Sequence, residues 1–182
     1  MSGFSSITPS ININTSSGAL RTELLNTFSR LDGQLSAAPY RFATQNGPVG
    51  NTGAAETDLM TFQINFNTLT NLGTSMLIFA CGKTAANANT KTFKIKLGAT
   101  TLFSTGAVAA NDDDWTFQAE IIANGATSQI FWSQFTYDGV VTNTNVTTSS
   151  EDLGTNLAVT FTGQGTASDD ISLYYFKSLL IG

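Results

Sequence analysis

A chain of 182 residues, 41% hydrophobic and only 12% charged, is long enough for one globular domain with a real core. With no histidine and one cysteine it excludes Ser-His-Asp, Cys-His and histidine-zinc chemistry. Its formal net charge of −5, with no cluster of basic residues, argues against a nucleic-acid groove. Polarity comes from 28 threonines and 15 asparagines instead, residues of strands and turns, which points to an all-β protein with many loops.

Residues 1–16, MSGFSSITPSININTS, carry Phe4, Ile7, Ile11 and Ile13 as isolated apolar points in a polar, extended stretch. They read as an arm that orders only against something else. The stretch also lacks the charged and apolar blocks of a secretory signal. No apolar run approaches the length of a membrane span, so the expectation is no membrane partner.

Residues 17–37 read as a helix. Ser17 is an N-cap residue, Leu24, Phe28, Leu31 and Leu35 follow 4-3-4 spacing, and Pro39 ends the pattern. Leu20 and Leu25 widen the stripe. A short apolar stripe at one end of an otherwise β chain needs a partner surface, either its own domain or a bundle between subunits. The bundle is the reading adopted, with Leu24, Phe28, Leu31 and Leu35 as the oligomer interface.

Residues 38–56, rich in Pro, Gly and Asn, read as a linker. The β domain is expected over 57–182. Strands are predicted near 57–67, 75–83, 91–98, 100–104, 115–124, 128–138, 155–164 and 171–181. Met60, Phe62, Ile64 and Phe66 alternate in the first, and Trp115, Phe117, Ala119 and Ile121 in the fifth. In the third, Phe93, Ile95 and Leu97 face one way and Lys94 and Lys96 the other. The stretch 140–152 is polar and reads as a long loop or an edge strand. The last strand, DISLYYFKSLLI, is apolar on both faces, as in a strand buried twice or packed against a neighbouring subunit. Eight strands separated by turns suggest an eight-stranded antiparallel jelly-roll sandwich, preceded by the arm and the one short helix. An immunoglobulin-like sandwich fits less well, because the Cys…Trp…Cys core pattern is absent.

Candidate chemistry is thin. Cys81 stands alone inside a predicted strand and reads as a small buried hydrophobe. Asp112 and Asp114 in NDDDW, and Asp169 and Asp170 in SDDI, read as solvated loop acids. Calcium ligation and paired-carboxylate catalysis are the lesser alternatives, and the spacing does not match an EF-hand loop. GKT at 82–84 lacks the upstream glycine of a phosphate loop, since Leu77 stands there. No catalytic residue, metal ligand or cofactor site is expected, and the chain is not expected to be an enzyme. Trp132, Tyr137, Tyr174 and Tyr175 serve either core and subunit packing or a sugar-binding face.

Charge is unevenly placed. All three arginines lie in residues 1–44, against Glu23 and Asp32, while residues 45–182 hold five lysines and eleven carboxylates. Arg21, Arg30 and Arg41, with Phe4, Ile7, Ile11 and Ile13, are therefore expected to contact an acidic or apolar partner.

The runs ANANTKTFKIKLGATTLFSTGA, WTFQAEIIANGATSQ and TFTGQGTASDDI resemble the jelly-roll virion proteins of tailed bacteriophages, which occur as capsid cement or decoration proteins and as tail-fibre domains. The resemblance covers roughly residues 55–182 and rests on strand-and-turn wording, not on functional residues. It implies a homotrimer made in the host cytoplasm and mounted on the outer surface of capsid or tail. The N-terminal segment would dock on the major capsid protein or another virion protein. A trimeric capsid cement protein is the first reading. A tail fibre or receptor-binding protein that recognises a cell-surface glycan is the alternative. A soluble trimeric ligand of the tumour-necrosis-factor or complement-globular kind is disfavoured by the missing signal and disulfides.

Overall fold

The structure is a computed structural model that describes residues 40–182, apart from residues 67 and 70, with side chains described from residue 43 onward, apart from residue 143. The arm at 1–16 and the helix at 17–37 lie outside the described residues.

Ten strands follow in order: β1 Tyr40–Thr52, β2 Thr57–Ile64, β3 Ser75–Thr84, β4 Thr92–Leu97, β5 Thr100–Ser104, β6 Asp114–Gly125, β7 Ser128–Tyr137, β8 Val140–Ser149, β9 Leu157–Gln164 and β10 Ser168–Ile181. They form two antiparallel sheets, one of six strands in the order β1-β10-β3-β6-β7-β8 and one of four in the order β2-β9-β4-β5. The chain is all-β in its described part, as its threonine-rich composition implies.

Two expectations are corrected. The stretch 38–56 is not only a linker, because residues 40–52 pair with β10 as edge strand β1. Its register breaks between Asn46 and Val49, where Gly47 takes φ 107° beside Pro48. An edge strand can hold a proline and a positive-φ glycine at such a bulge, whereas a central strand cannot. Among the described residues there are ten strands, the eight expected plus β1 and β8; β8 takes the edge-strand form of the two readings given to 140–152, hydrogen-bonded along β7. Asp138 (φ 50°) and Gly139 (φ 68°) turn β7 into β8 with both central residues left-handed, the geometry of a tight hairpin.

Alternation builds the core between the sheets. Met76, Ile78 and Ala80 of β3, Trp115, Phe117, Ala119 and Ile121 of β6, and Phe131 and Phe135 of β7 face Phe93, Ile95 and Leu97 of β4 and Val159 and Phe161 of β9. Trp115 stacks on Phe161 (centroids 5.6 Å) and packs tilted against Phe93 (5.1 Å). Gly82 lies where a Cβ would stand 1.9 Å from the Ser172 carbonyl oxygen and 2.6 Å from Trp115. The GKT glycine is therefore a packing residue inside β3.

Candidate functional site

Two features stand apart from the core: a buried polar network at one end of the sandwich, and the outer face of the six-stranded sheet.

The network starts from the β3–β4 connection, whose small polar residues leave room for side-chain-to-backbone bonds. Asp170, at the start of β10, is fully buried, which corrects its reading as a solvated loop acid, whereas Asp169 is exposed as expected. Its Oδ2 accepts from the backbone N–H groups of Thr166 and Ala167 (both 2.7 Å) and from Asn89 Nδ2 (3.0 Å). Its Oδ1 accepts from Asn87 Nδ2 at 2.6 Å and Asn89 Nδ2 at 3.1 Å. Burial pushes its pKa up, but the bonds from Ala167, Asn87, Thr166 and Asn89 outweigh that and hold the carboxyl down at about 2.

Lys91 is buried as completely. Its ammonium donates to Asn87 Oδ1 (2.8 Å), the Asn87 carbonyl oxygen (3.0 Å) and the Ala110 carbonyl oxygen (2.5 Å). Asn51, near the end of β1, donates to the Gly53 and Ala167 carbonyl oxygens and accepts from the Ile171 N–H. The network thus ties together β1, the β3–β4 loop, the β5–β6 loop and the β9–β10 turn. Every oxygen of Asp170 is already taken by N–H donors, so its chemistry is anchoring, not proton transfer or cation binding. Among the described residues no group of three or more Cys, Asp or Glu could hold a metal ion.

The other acids are exposed or half-buried. Asp112, with φ 62°, pairs with Lys83 at 2.8 Å and raises the lysine's pKa by its hydrogen bond and charge. Asp114 and Asp169 also face solvent. Glu56 pairs with Lys94 at 2.6 Å and with Lys96. Burial raises the Glu56 pKa, and the bonds and charges of Lys94 and Lys96 bring it down to about 2. This trio lies on the outer face of the four-stranded sheet, where Thr61, Thr160 and Thr101 line up with Lys96. That face is polar.

The outer face of the six-stranded sheet has the opposite character. The pairing registers align its side chains in rows across the strands. One row runs Leu179, Leu77, Glu120, Trp132, Val146 from β10 to β8. A second runs Ile181, Ser75, Ile122, Ile130, Thr148. A third runs Lys177, Phe79, Gln118, Gln134, Thr144, and a fourth Tyr175, Cys81, Thr116, Thr136, Val141. None of Leu77, Phe79, Ile122, Ile130 or Leu179 belongs to the core cluster, and Trp132, Val146, Tyr175 and Ile181 are exposed. Cys81 is half-buried here, on the outer side of β3, not in the core. A sheet face this apolar is unusual for a surface in contact with water.

The aromatic side chains named from the sequence do not converge. Tyr137 packs against the core beside Phe135 (6.3 Å). Trp132 on β7 and Tyr174 and Tyr175 on β10 are exposed, but β3 and β6 separate them, about 14 Å at ordinary strand spacing. Arg41 sits in β1 opposite Leu179, with its side chain outside the described part. Phe4, Ile7, Ile11, Ile13, Arg21, Arg30, Leu24, Phe28, Leu31 and Leu35 all lie outside the described residues. The sequence reading missed Asn51, Asn87, Asn89 and Lys91. The asparagine spacing of TAANANTK was visible, but its long-range partners were not.

No family model, curated protein or solved structure matches this chain.

Proposed function

We propose that this chain is a non-enzymatic structural protein of a phage virion, a homotrimeric capsid cement protein built on a jelly roll. Setting the β7–β8 hairpin aside and renumbering the remaining eight strands turns the sheet orders into 1-8-3-6 and 2-7-4-5. The neighbours 1·8, 2·7, 3·6 and 4·5 are those of one long antiparallel hairpin rolled into two sheets, which is the jelly-roll path. The hairpin then extends the first sheet from six's outer side as an insertion.

The observation that carries an assembly role is the contrast between the two outer faces. The four-stranded sheet shows threonine and lysine outward, and the six-stranded sheet sets leucine, isoleucine, phenylalanine, tryptophan and valine among its outward polar residues, most densely in the Leu77 and Ile122 rows. Apolar area of that kind gains by being removed from water against another protein surface. The well-tied loop end, with its buried Asp170 and Lys91, supplies a rigid frame rather than a reactive site. The resemblance to phage virion proteins supplies the setting, and the scattered aromatic residues favour cement over a glycan-gripping fibre tip.

In this reading residues 1–44, with the arginines and the apolar points Phe4, Ile7, Ile11 and Ile13, attach to the particle while the acidic β domain faces outward. Deletion of residues 1–16 tests it by co-sedimentation with phage heads that lack the protein. A folded, soluble variant that no longer sediments with heads supports the assignment. A variant that still saturates them places the attachment surface on the β domain.

A further inference from the structure

We infer that the free edge of β8 docks a second copy of this chain. Two β8 strands pair antiparallel across a two-fold axis that passes through the sheet at Val146, and two six-stranded sheets join into one of twelve.

An open strand edge presents alternate N–H and C=O groups that another extended backbone satisfies, and folded proteins guard such edges. The two sheets have four of them, β1 and β8 in one and β2 and β5 in the other. Three are guarded. β1 breaks register three times against β10 and carries Arg41 and Pro48. β2 has a bulge between Asp58 and Met60, and Asp58 charges it. β5 is five residues long, and at its bulge the Leu102 carbonyl oxygen accepts from Asn145 Nδ2 of β8 at 2.9 Å. β8 has none of these devices over most of its length. Val140–Ser149 contains no charge, proline or glycine, and among the described residues its backbone bonds only to β7.

The register selects the occupant. Pairing with β7 runs without a shift from Asn143 to Ser149 and breaks before Asn143. The midpoint of that run is Val146, whose side chain is 71% exposed. A strand meets its own copy antiparallel only across a two-fold axis, and an axis at the midpoint pairs the whole run with itself. Val146 then faces the partner's Val146, Thr144 the partner's Thr148, and Asn145 the partner's Thr147. Each pair keeps to one side of the sheet, since Thr144, Val146 and Thr148 are exposed while Asn145 and Thr147 are half-buried. No like charges meet, and the most exposed valine of the strand is covered by its own copy. A foreign strand is selected by charges along an edge, and this run has none.

A single strand pair is well below a standard interface, so free copies meet weakly, and the contact strengthens where copies are held side by side. Neither the trimer nor the virion is needed for it.

Disulfide trapping catches a weak contact and reads its register. Cys81→Ser removes the native thiol from the full chain, and Thr144→Cys, Val146→Cys or Thr148→Cys is added singly, with circular dichroism to check each fold. Paired Val146 positions have Cα atoms about 5 Å apart, within disulfide reach, whereas the two copies of Thr144 lie about 13 Å apart, beyond it. On non-reducing gels after mild oxidation, the Val146→Cys protein should link into a dimer about tenfold faster than the Thr144→Cys or Thr148→Cys protein alone. An equal mixture of the Thr144→Cys and Thr148→Cys proteins should link as the Val146→Cys protein does. Equal rates for all three single-cysteine proteins, or a mixture that stays unlinked, overturns the pairing. Either failure leaves the virion reading standing, because the arm deletion tests that separately.

Discussion

Lys91 and Asp170 are both fully buried, yet they form no ion pair; the Asn87 amide stands between them, its Oδ1 accepting from the Lys91 ammonium at 2.8 Å and its Nδ2 donating to Asp170 Oδ1 at 2.6 Å. A buried cation and a buried anion are each costly without partners. Here one neutral side chain bonds to both, alongside Asn89, Thr166 and Ala167 on the anion and the Ala110 carbonyl on the cation.

Asn87→Ala should therefore destabilise the fold by about 2–4 kcal/mol, because it leaves a buried cation and a buried anion each one bond short. Urea unfolding of the two proteins measures this. A loss below about 0.5 kcal/mol, the range of an ordinary surface change, would show that the amide is not holding the charges.

Acid should weaken the protein through the same site. Asp170 has a folded pKa of about 2 against an ordinary 3.8, so its stabilisation is present above pH 4 and drains away as pH falls through 2. The difference amounts to about 2 kcal/mol. Glu56, also lowered to about 2, adds in the same direction but less, because its pairs with Lys94 and Lys96 are partly exposed. Melting temperatures at pH 6, 4, 3 and 2 should fall mainly below pH 4, and Asp170→Asn should flatten that fall. A wild-type curve level to pH 2, or a slope the variant leaves unchanged, contradicts the assignment.

Gly82→Ala should cost about 1–3 kcal/mol or more, since the new methyl would sit 1.9 Å from the Ser172 carbonyl oxygen, a backbone atom of the neighbouring strand. Thermal unfolding checks it. A melting temperature within a degree of wild type would mean that β3 and β10 can part without loss.

Much of the sandwich was legible because alternation survives in strands with one buried face. Trp115, Phe117, Ala119 and Ile121 gave β6, and Phe93, Ile95 and Leu97 gave β4. β1 was hidden by Gly47 and Pro48, which punctuate a sequence as a loop but are tolerated at an edge bulge. β8 carries polar residues on its half-buried side too, at Asn145, Thr147 and Ser149, and so has no hydrophobic alternation; its strongest signal was the Asp138–Gly139 turn before it. Asp169 and Asp170 are neighbours of one type, and only folding makes one exposed and the other buried, through Asn87 and Asn89 more than eighty residues away. The outer apolar face was half visible, in the two-sided character of the last strand. Its rows needed the register, which no single strand contains.

Quantitative mass spectrometry of purified virions, with this chain counted against the major capsid protein, tests the central claim most directly. The account predicts hundreds of copies per particle, in a fixed ratio to the capsid protein. A few dozen copies would move the protein to the tail, and its absence from purified particles would contradict a structural role altogether.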